Sequence, residues 1–295
     1  MLSSINLWNP HTGLPVAGII LTAFLLGMVH GVTPDEHTWP ITFSYAIGAY
    51  STQGGLKAGL SFSLAFTVQR AIASELAYLP LAKWMQNPKM DAPVYVFVGL
   101  AMFLAGWYIR STGRVFHVHG LKAFHHQEQK ESFGPMRDLS PWMAMGHGFI
   151  AGWGFGAFAI IIYTVLAPSM NNPWLGWVPG TCFGLGTMTI QASAAALFGH
   201  WMARAHIPAE MAKSVAKSTA SATLLYGGIA FAVTGVLTLA FPGLEKVAWI
   251  SPLHIHNLHT LGMGFVLVAF TVLIVGVGSL IRSLHKAKNL VARNR

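Results

Sequence analysis

The sequence predicts an all-α polytopic membrane protein with about seven transmembrane helices, arranged as a 3+3 inverted repeat plus a C-terminal helix. Three observations carry this expectation. Of the 295 residues, 54% are hydrophobic and 9% are charged, whereas a soluble domain carries about 25% charged residues and needs them to cover its surface. The apolar residues fall in runs long enough to cross a bilayer as helices, the open-chain form that satisfies its own backbone in lipid. The basic residues behind the net charge of +9 lie in the short loops between those runs, where they set topology rather than bind nucleic acid.

The apolar runs are 15–34 continuing through 39–50, then 56–82, 92–109, 141–168, 174–202, 218–241 and 260–281. Residues 39–50 either extend the first helix beyond a break at Pro34, re-enter the membrane, or form a short extra span. Residues 1–110 form a first membrane half of three spans with a broken first helix, and 111–140 a His-rich loop. Residues 141–241 form a second half of three spans, and 242–295 an external His-containing loop, the last span and a basic tail. With seven spans, fourteen Lys and Arg residues fall on one side, against Lys83, Lys89 and Lys246 on the other. The positive-inside rule then puts the N-terminus outside and the C-terminus in the cytoplasm, in the cytoplasmic (inner) membrane of a prokaryote. The first 14 residues carry no Lys or Arg, so 15–34 reads as a retained span rather than a signal peptide.

Gly176, Gly180 and Gly184 recur every four residues, with Ala192 and Ala196 continuing the small face, and Gly27 and Gly31 repeat the pattern in the first span. Small residues at this spacing let transmembrane backbones approach closely. Cys182 is the single cysteine, which excludes a disulfide framework and a dithiol relay. No GxxxxGK[ST] loop is present, so transport would draw on an ion gradient or an external partner. No enzyme activity and no tightly bound cofactor are expected.

The chemistry concentrates at the end of the first span, in GMVHGVTPDEHTWP. His30, Asp35, Glu36 and His37 stand at or near membrane depth, where ionisable groups are expensive and face a bundle interior or water cavity. Pro34 lacks an N–H, so the His30 carbonyl loses its helix partner, and Thr33 is pushed to an extended conformation. A broken helix with imidazole, carboxylate and carbonyl donors resembles the ion sites of many transporters and suits a borderline divalent metal. A second cluster, MAMGHGFIAGWGFG, places His147 in the fourth span. The match of MVHG at 28–31 to MGHG at 145–148, in oppositely directed spans, suggests the inverted repeat and puts His147 in the same cavity as His30, Asp35 and His37. His147 also fits an ordinary core histidine.

Arg70 and Glu75 lie within a span and five residues apart, too far around a helix to face one another. Each needs a partner on a neighbouring helix or access to a pathway. The loop residues His117, His119, His125 and His126 either gather metal ions or belong to a solvated linker. His254, His256 and His259, before the last span, form a candidate ligand cluster on the external side.

HGVTPDEH resembles the first-helix signature of the nickel/cobalt transporter superfamily, which includes uptake permeases, efflux proteins and urease-accessory-type membrane proteins. The positions of His30, Gly31, Pro34 and Asp35 match. GLSFSLAFT at 59–67 resembles the family's next helix, and GHGFIAGWGFG with FGLGTM at 183–188 resembles the accessory-type second half. Thr33 stands where the family often has an acid, and Phe66 where it often has a histidine. The resemblance implies permeation of Ni2+ or Co2+ through an inverted-repeat bundle, with the first-helix His and acid residues as ligands. The partners expected are the bilayer, a transition-metal ion and a metallochaperone or metalloenzyme. Two other classes compete. One is a carrier of a sulfur-containing or organic anion, with Arg70 as pathway charge; the other is a non-transport subunit that docks with a metalloenzyme or its assembly factors.

Overall fold

The computed structural model describes residues 7, 10, 13–33, 35, 38–49, 51–78, 91–112, 141–154, 157–205, 207–252 and 260–293. They are almost entirely helical: α1 (Val16–Val32), α2 (Trp39–Gly48), α3 (Thr52–Tyr78), α4 (Asp91–Thr112), α5 (Pro141–Ala151) and α6 (Ala157–Ile161). The last continues into a π-helical turn (Ile162–Leu166) and a 3-10 turn (Pro168–Met170). Then follow α7 (Trp177–Ala203), α8 (Ala209–Ala240), α9 (Met263–Val268, continuing as a π-helix over Ala269–Val277) and α10 (Gly278–Arg293). A two-stranded antiparallel ribbon pairs Trp249 with Leu261 and Ile250 with Thr260, between α8 and α9.

Four stretches are long and apolar enough to cross a membrane: Ala92–Ser111, Trp177–Ala203, Met211–Ala240 and Met263–Ala292, with shorter apolar helices at Val16–Val32 and Phe158–Met170. The outer faces agree. Leu273 and Ile274 are 63% and 67% exposed, and Leu60, Leu64 and Val68 form an exposed apolar stripe on α3. Soluble monomers rarely show contiguous apolar surface on this scale. The chain is an α-helical protein embedded in a membrane.

Close backbone approach organises the bundle. The central pair is α3 against α7, running antiparallel, with Gly55 against Ala195, Gly184 against Thr67 and Gly180 against Arg70. Parallel to α7 runs α1, with the Gly27 Cα on the Phe183 carbonyl and Gly31 against Thr187 and Ile190. Parallel to α3 runs α5, with Gly148 on the Phe62 carbonyl and Gly152 on the Gln69 side chain. Antiparallel to α8 is α4, Gly99 meeting Gly228 and Gly106 meeting Leu225. The expected small-residue faces are therefore contact faces, with Ala195 rather than Ala196 turned to α3.

Two segments refine the hydropathy reading. Residues 141–168 read as one span, but the structure divides them at Gly152–Gly154, where Gly152 packs directly against the Gln69 side chain. Residues 39–50 carry the first helix on past its break: Gly27 and Gly31 meet α7 at Phe183 and Ile190, Thr38 meets it at Gln191 and Phe43 at Phe198, so α2 continues along α7 in the direction of α1. At 10 residues α2 is about 15 Å long, half the roughly 30 Å hydrocarbon thickness. Pro40 to Gly48 are all buried between α3, α7 and α8.

Candidate functional site

The site grows from the end of α1. Thr33 is extended (φ −68°, ψ 141°), as a residue before proline must be, and the helix stops at Val32. This break orphans carbonyls, and side chains take them up. The Thr33 hydroxyl donates to the His30 carbonyl (3.1 Å), the Gln191 amide to the Gly31 carbonyl (3.0 Å) and the Trp39 indole to the Thr33 carbonyl (3.0 Å). Thr187 adds a bond to the Gly27 carbonyl (3.1 Å). The freed His30 carbonyl, expected from the sequence as an ion ligand, is thus engaged by Thr33.

The side-chain donors stand beside this capped end. His30 and Asp35 are 4% and 6% exposed, and His30 Nδ1 lies 3.7 Å from Asp35 Oδ2. That is too long for a hydrogen bond. It is close to the roughly 3.4 Å edge of a tetrahedral metal site whose N and O ligands stand about 2.1 Å from the ion. Three rings enclose the imidazole: Phe66 stacked at 5.9 Å, Phe158 edge-on at 5.8 Å and Phe183 tilted at 5.1 Å. Phe66, at the position where the related family often has a histidine, supplies an apolar wall instead of a ligand.

His147 does not join this couple. Gly148 packs on α3, which turns His147 toward α2, where its Nδ1 lies 2.9 Å from the Tyr45 hydroxyl and 2.9 Å from the Met143 carbonyl. A carbonyl only accepts, so Nδ1 carries the proton and the ring ties α5 to α2. Among the described residues no three His, Cys, Asp or Glu side chains form a metal-holding group. Glu36, His37, His117, His119, His125, His126, His254, His256 and His259 lie outside the described residues.

Arg70 meets two of the same rings. It is 3% exposed, with Cζ 4.8 Å from the Phe66 ring centre and 5.6 Å from that of Phe183, and its guanidinium donates to the Tyr163 hydroxyl (2.8 Å). Among the described residues it has no carboxylate partner, and its Nε is buried without an acceptor. Glu75 lies instead against Gly176. Aromatic faces and one phenol thus stabilise a cation that the sequence left to an acid partner or a pathway. The π-helical turn carries Tyr163, a feature common at functional sites. Tyr45, Tyr163, Phe158 and Phe183 escaped sequence reasoning, which singled out only Phe66 of this group. Each acts through contacts distant along the chain, and an aromatic residue in an apolar span carries no local mark.

Comparisons with protein-family models, curated proteins and solved structures give no match for this chain. Fold and site define a class only: a helical membrane protein with ionisable side chains buried at a break in its first helix.

Proposed function

We propose that the chain is a permease for a divalent transition-metal ion, nickel or cobalt by its resemblance to the nickel/cobalt transporter superfamily. The observation that carries this reading is the buried His30–Asp35 couple at the broken end of α1. An imidazole nitrogen and a carboxylate oxygen at near-ligand spacing form a borderline donor set, and ionisable groups buried within a membrane-spanning bundle mark functional sites by default. The ion is the cargo, and the remaining ligands would come from Glu36 and His37. Binding of nickel, cobalt, zinc and copper to purified protein, followed by calorimetry, tests the reading. Tight binding of at least one of the four is expected, and binding of none removes it.

Seven spans in a 3+3 inverted repeat with a C-terminal helix belong to the same proposal. In support, the α1–α7 and α5–α3 contacts interchange when the halves are exchanged, and α1 and α5 run in opposite directions. His30–Gly31 and His147–Gly148 then stand at similar depth. The fourteen-to-three charge asymmetry puts residues 111–140 in the cytoplasm. A Ser132→Cys variant in intact cells should resist a membrane-impermeant thiol reagent; ready labelling from outside reverses the orientation.

One observation favours a second reading, a carrier of a sulfur-containing or organic anion. Arg70 is buried at membrane depth, and among the described residues no carboxylate pairs with it. On that reading Arg70→Gln abolishes anion uptake, while His30→Ala leaves it within about threefold. The metal reading expects metal binding to survive Arg70→Gln.

A further inference from the structure

α8 and α10 converge at the end of the bundle where α4 and α7 also finish, and they leave a groove of about 280 Å³ between them. On α8, Ser214 and Ser218 are one turn apart and share a face. On α10, Ser283 and Lys286 stand three residues apart on the face that meets it. The three hydroxyls and the lysine line the groove, and the Ser283 hydroxyl donates to that of Ser218 (3.3 Å). The remaining lining is apolar, chiefly Val215, Ala287 and Leu290, and Leu290 is itself exposed on the outer surface. No carboxylate is among the lining residues. Lys213, Lys217, Arg282 and Lys288 flank the lining residues in sequence, against one acid, Glu210.

We propose that this groove binds the phosphate headgroup of an anionic membrane lipid, with an acyl chain lying along its apolar wall. Hydroxyl donors and an ammonium suit phosphate oxygens, which accept several charge-assisted hydrogen bonds. Basic pockets between transmembrane helices at the cytoplasmic face recognise such headgroups. Inorganic phosphate offers the same oxygens but would leave Val215, Ala287 and Leu290 without a partner. The apolar half of the lining commits the site to a lipid. The proposal is independent of what the permease carries, because no groove residue touches His30, Asp35 or Arg70.

Native mass spectrometry of the full chain, loaded with phosphatidylglycerol or phosphatidylcholine and then washed in detergent, tests it. Wild type should retain phosphatidylglycerol and not phosphatidylcholine. Lys286→Gln should lower that retention about fivefold, the worth of one lysine near an anionic surface, and Ser218→Ala with Ser283→Ala should lower it comparably. Lys286→Arg, which keeps the charge, and Lys288→Gln, outside the groove lining, should retain it; both also report on folding. Wild-type retention of phosphatidylglycerol in both the Lys286→Gln and the double-serine variant overturns the site, as does equal retention of the two lipids or of neither by wild type. Displacement of phosphatidylglycerol by millimolar inorganic phosphate overturns the lipid and leaves a free-ion site.

Discussion

Replacing His30 by alanine is expected to abolish tight nickel or cobalt binding by the purified protein, while His125→Ala in the 111–140 loop leaves binding within about threefold. The asymmetry is one of surroundings. His30 is walled by Phe66, Phe158 and Phe183, and water is a poor substitute donor at an apolar-walled site. Loss of an outer-shell partner alone typically costs about 10–100-fold in affinity, and loss of a direct ligand should exceed that. The loop has His117, His119 and His126 in reserve. Asp35→Asn keeps the shape and removes the charge, and should weaken binding strongly as well. The pH dependence has a fixed sign: ligation needs a neutral imidazole and an ionised carboxylate, so binding weakens as pH falls and protons compete with the metal. Calorimetric titration of wild type and the three variants across pH measures all of this. Equal affinity in wild type and His30→Ala would exclude the couple as the site.

Gly27→Ala, a change of one methyl group, is expected to destabilise the protein more than most core truncations. A Cβ at residue 27 would overlap the Phe183 carbonyl of α7. The obstacle is backbone, so no rotamer change relieves it and the two helices must separate. Overpacking a core costs typically about 1–3 kcal/mol, and a backbone clash should lie at or above the upper end. Separation would also draw Gly27 away from the Thr187 hydroxyl and Gly31 from the Gln191 amide. Gly146→Ala is the matched control, since nothing lies within 4 Å of its added methyl. Thermal denaturation in detergent, followed by gel filtration, should show a large loss for Gly27→Ala and little change for Gly146→Ala. Equal stability of the two variants would mean that α1 and α7 do not pack through this glycine.

These two residues mark what the sequence makes legible. Apolar runs long enough to span lipid announce α4, α7, α8 and α9, because a helix face turned to lipid must be largely apolar. The stretch 39–50 has similar hydropathy and a different fate. Burial by protein and burial by lipid select the same side chains, so composition alone does not separate a core half-helix from a span. In the site, His30 and Asp35 stand out because ionisable groups are rare in apolar runs. Their surroundings do not. Arg70 meets Tyr163 from 93 residues away and His147 meets Tyr45 across 102, pairings that no local period encodes. The match of HG at 30–31 and 147–148 suggested an inverted repeat with both histidines in one cavity, and the structure separates the two histidines. The glycines that follow them face different helices, and each histidine turns with its own glycine.

The capped end of α1 bears on how the chain is made. The Gly31 carbonyl waits for Gln191, a residue synthesised 160 positions later, and α2 is enclosed only when α7 and α8 have arrived. Until then the break would face lipid with unsatisfied carbonyls, each costing several kcal/mol. The nascent first quarter must therefore remain in the shelter of the insertion machinery or beside water while the second half emerges. Contacts this remote in sequence also slow folding. A chain cut before α7 would lose the donor that closes its first helix, so the two halves are not separable modules: the N-terminal one is completed by the C-terminal one.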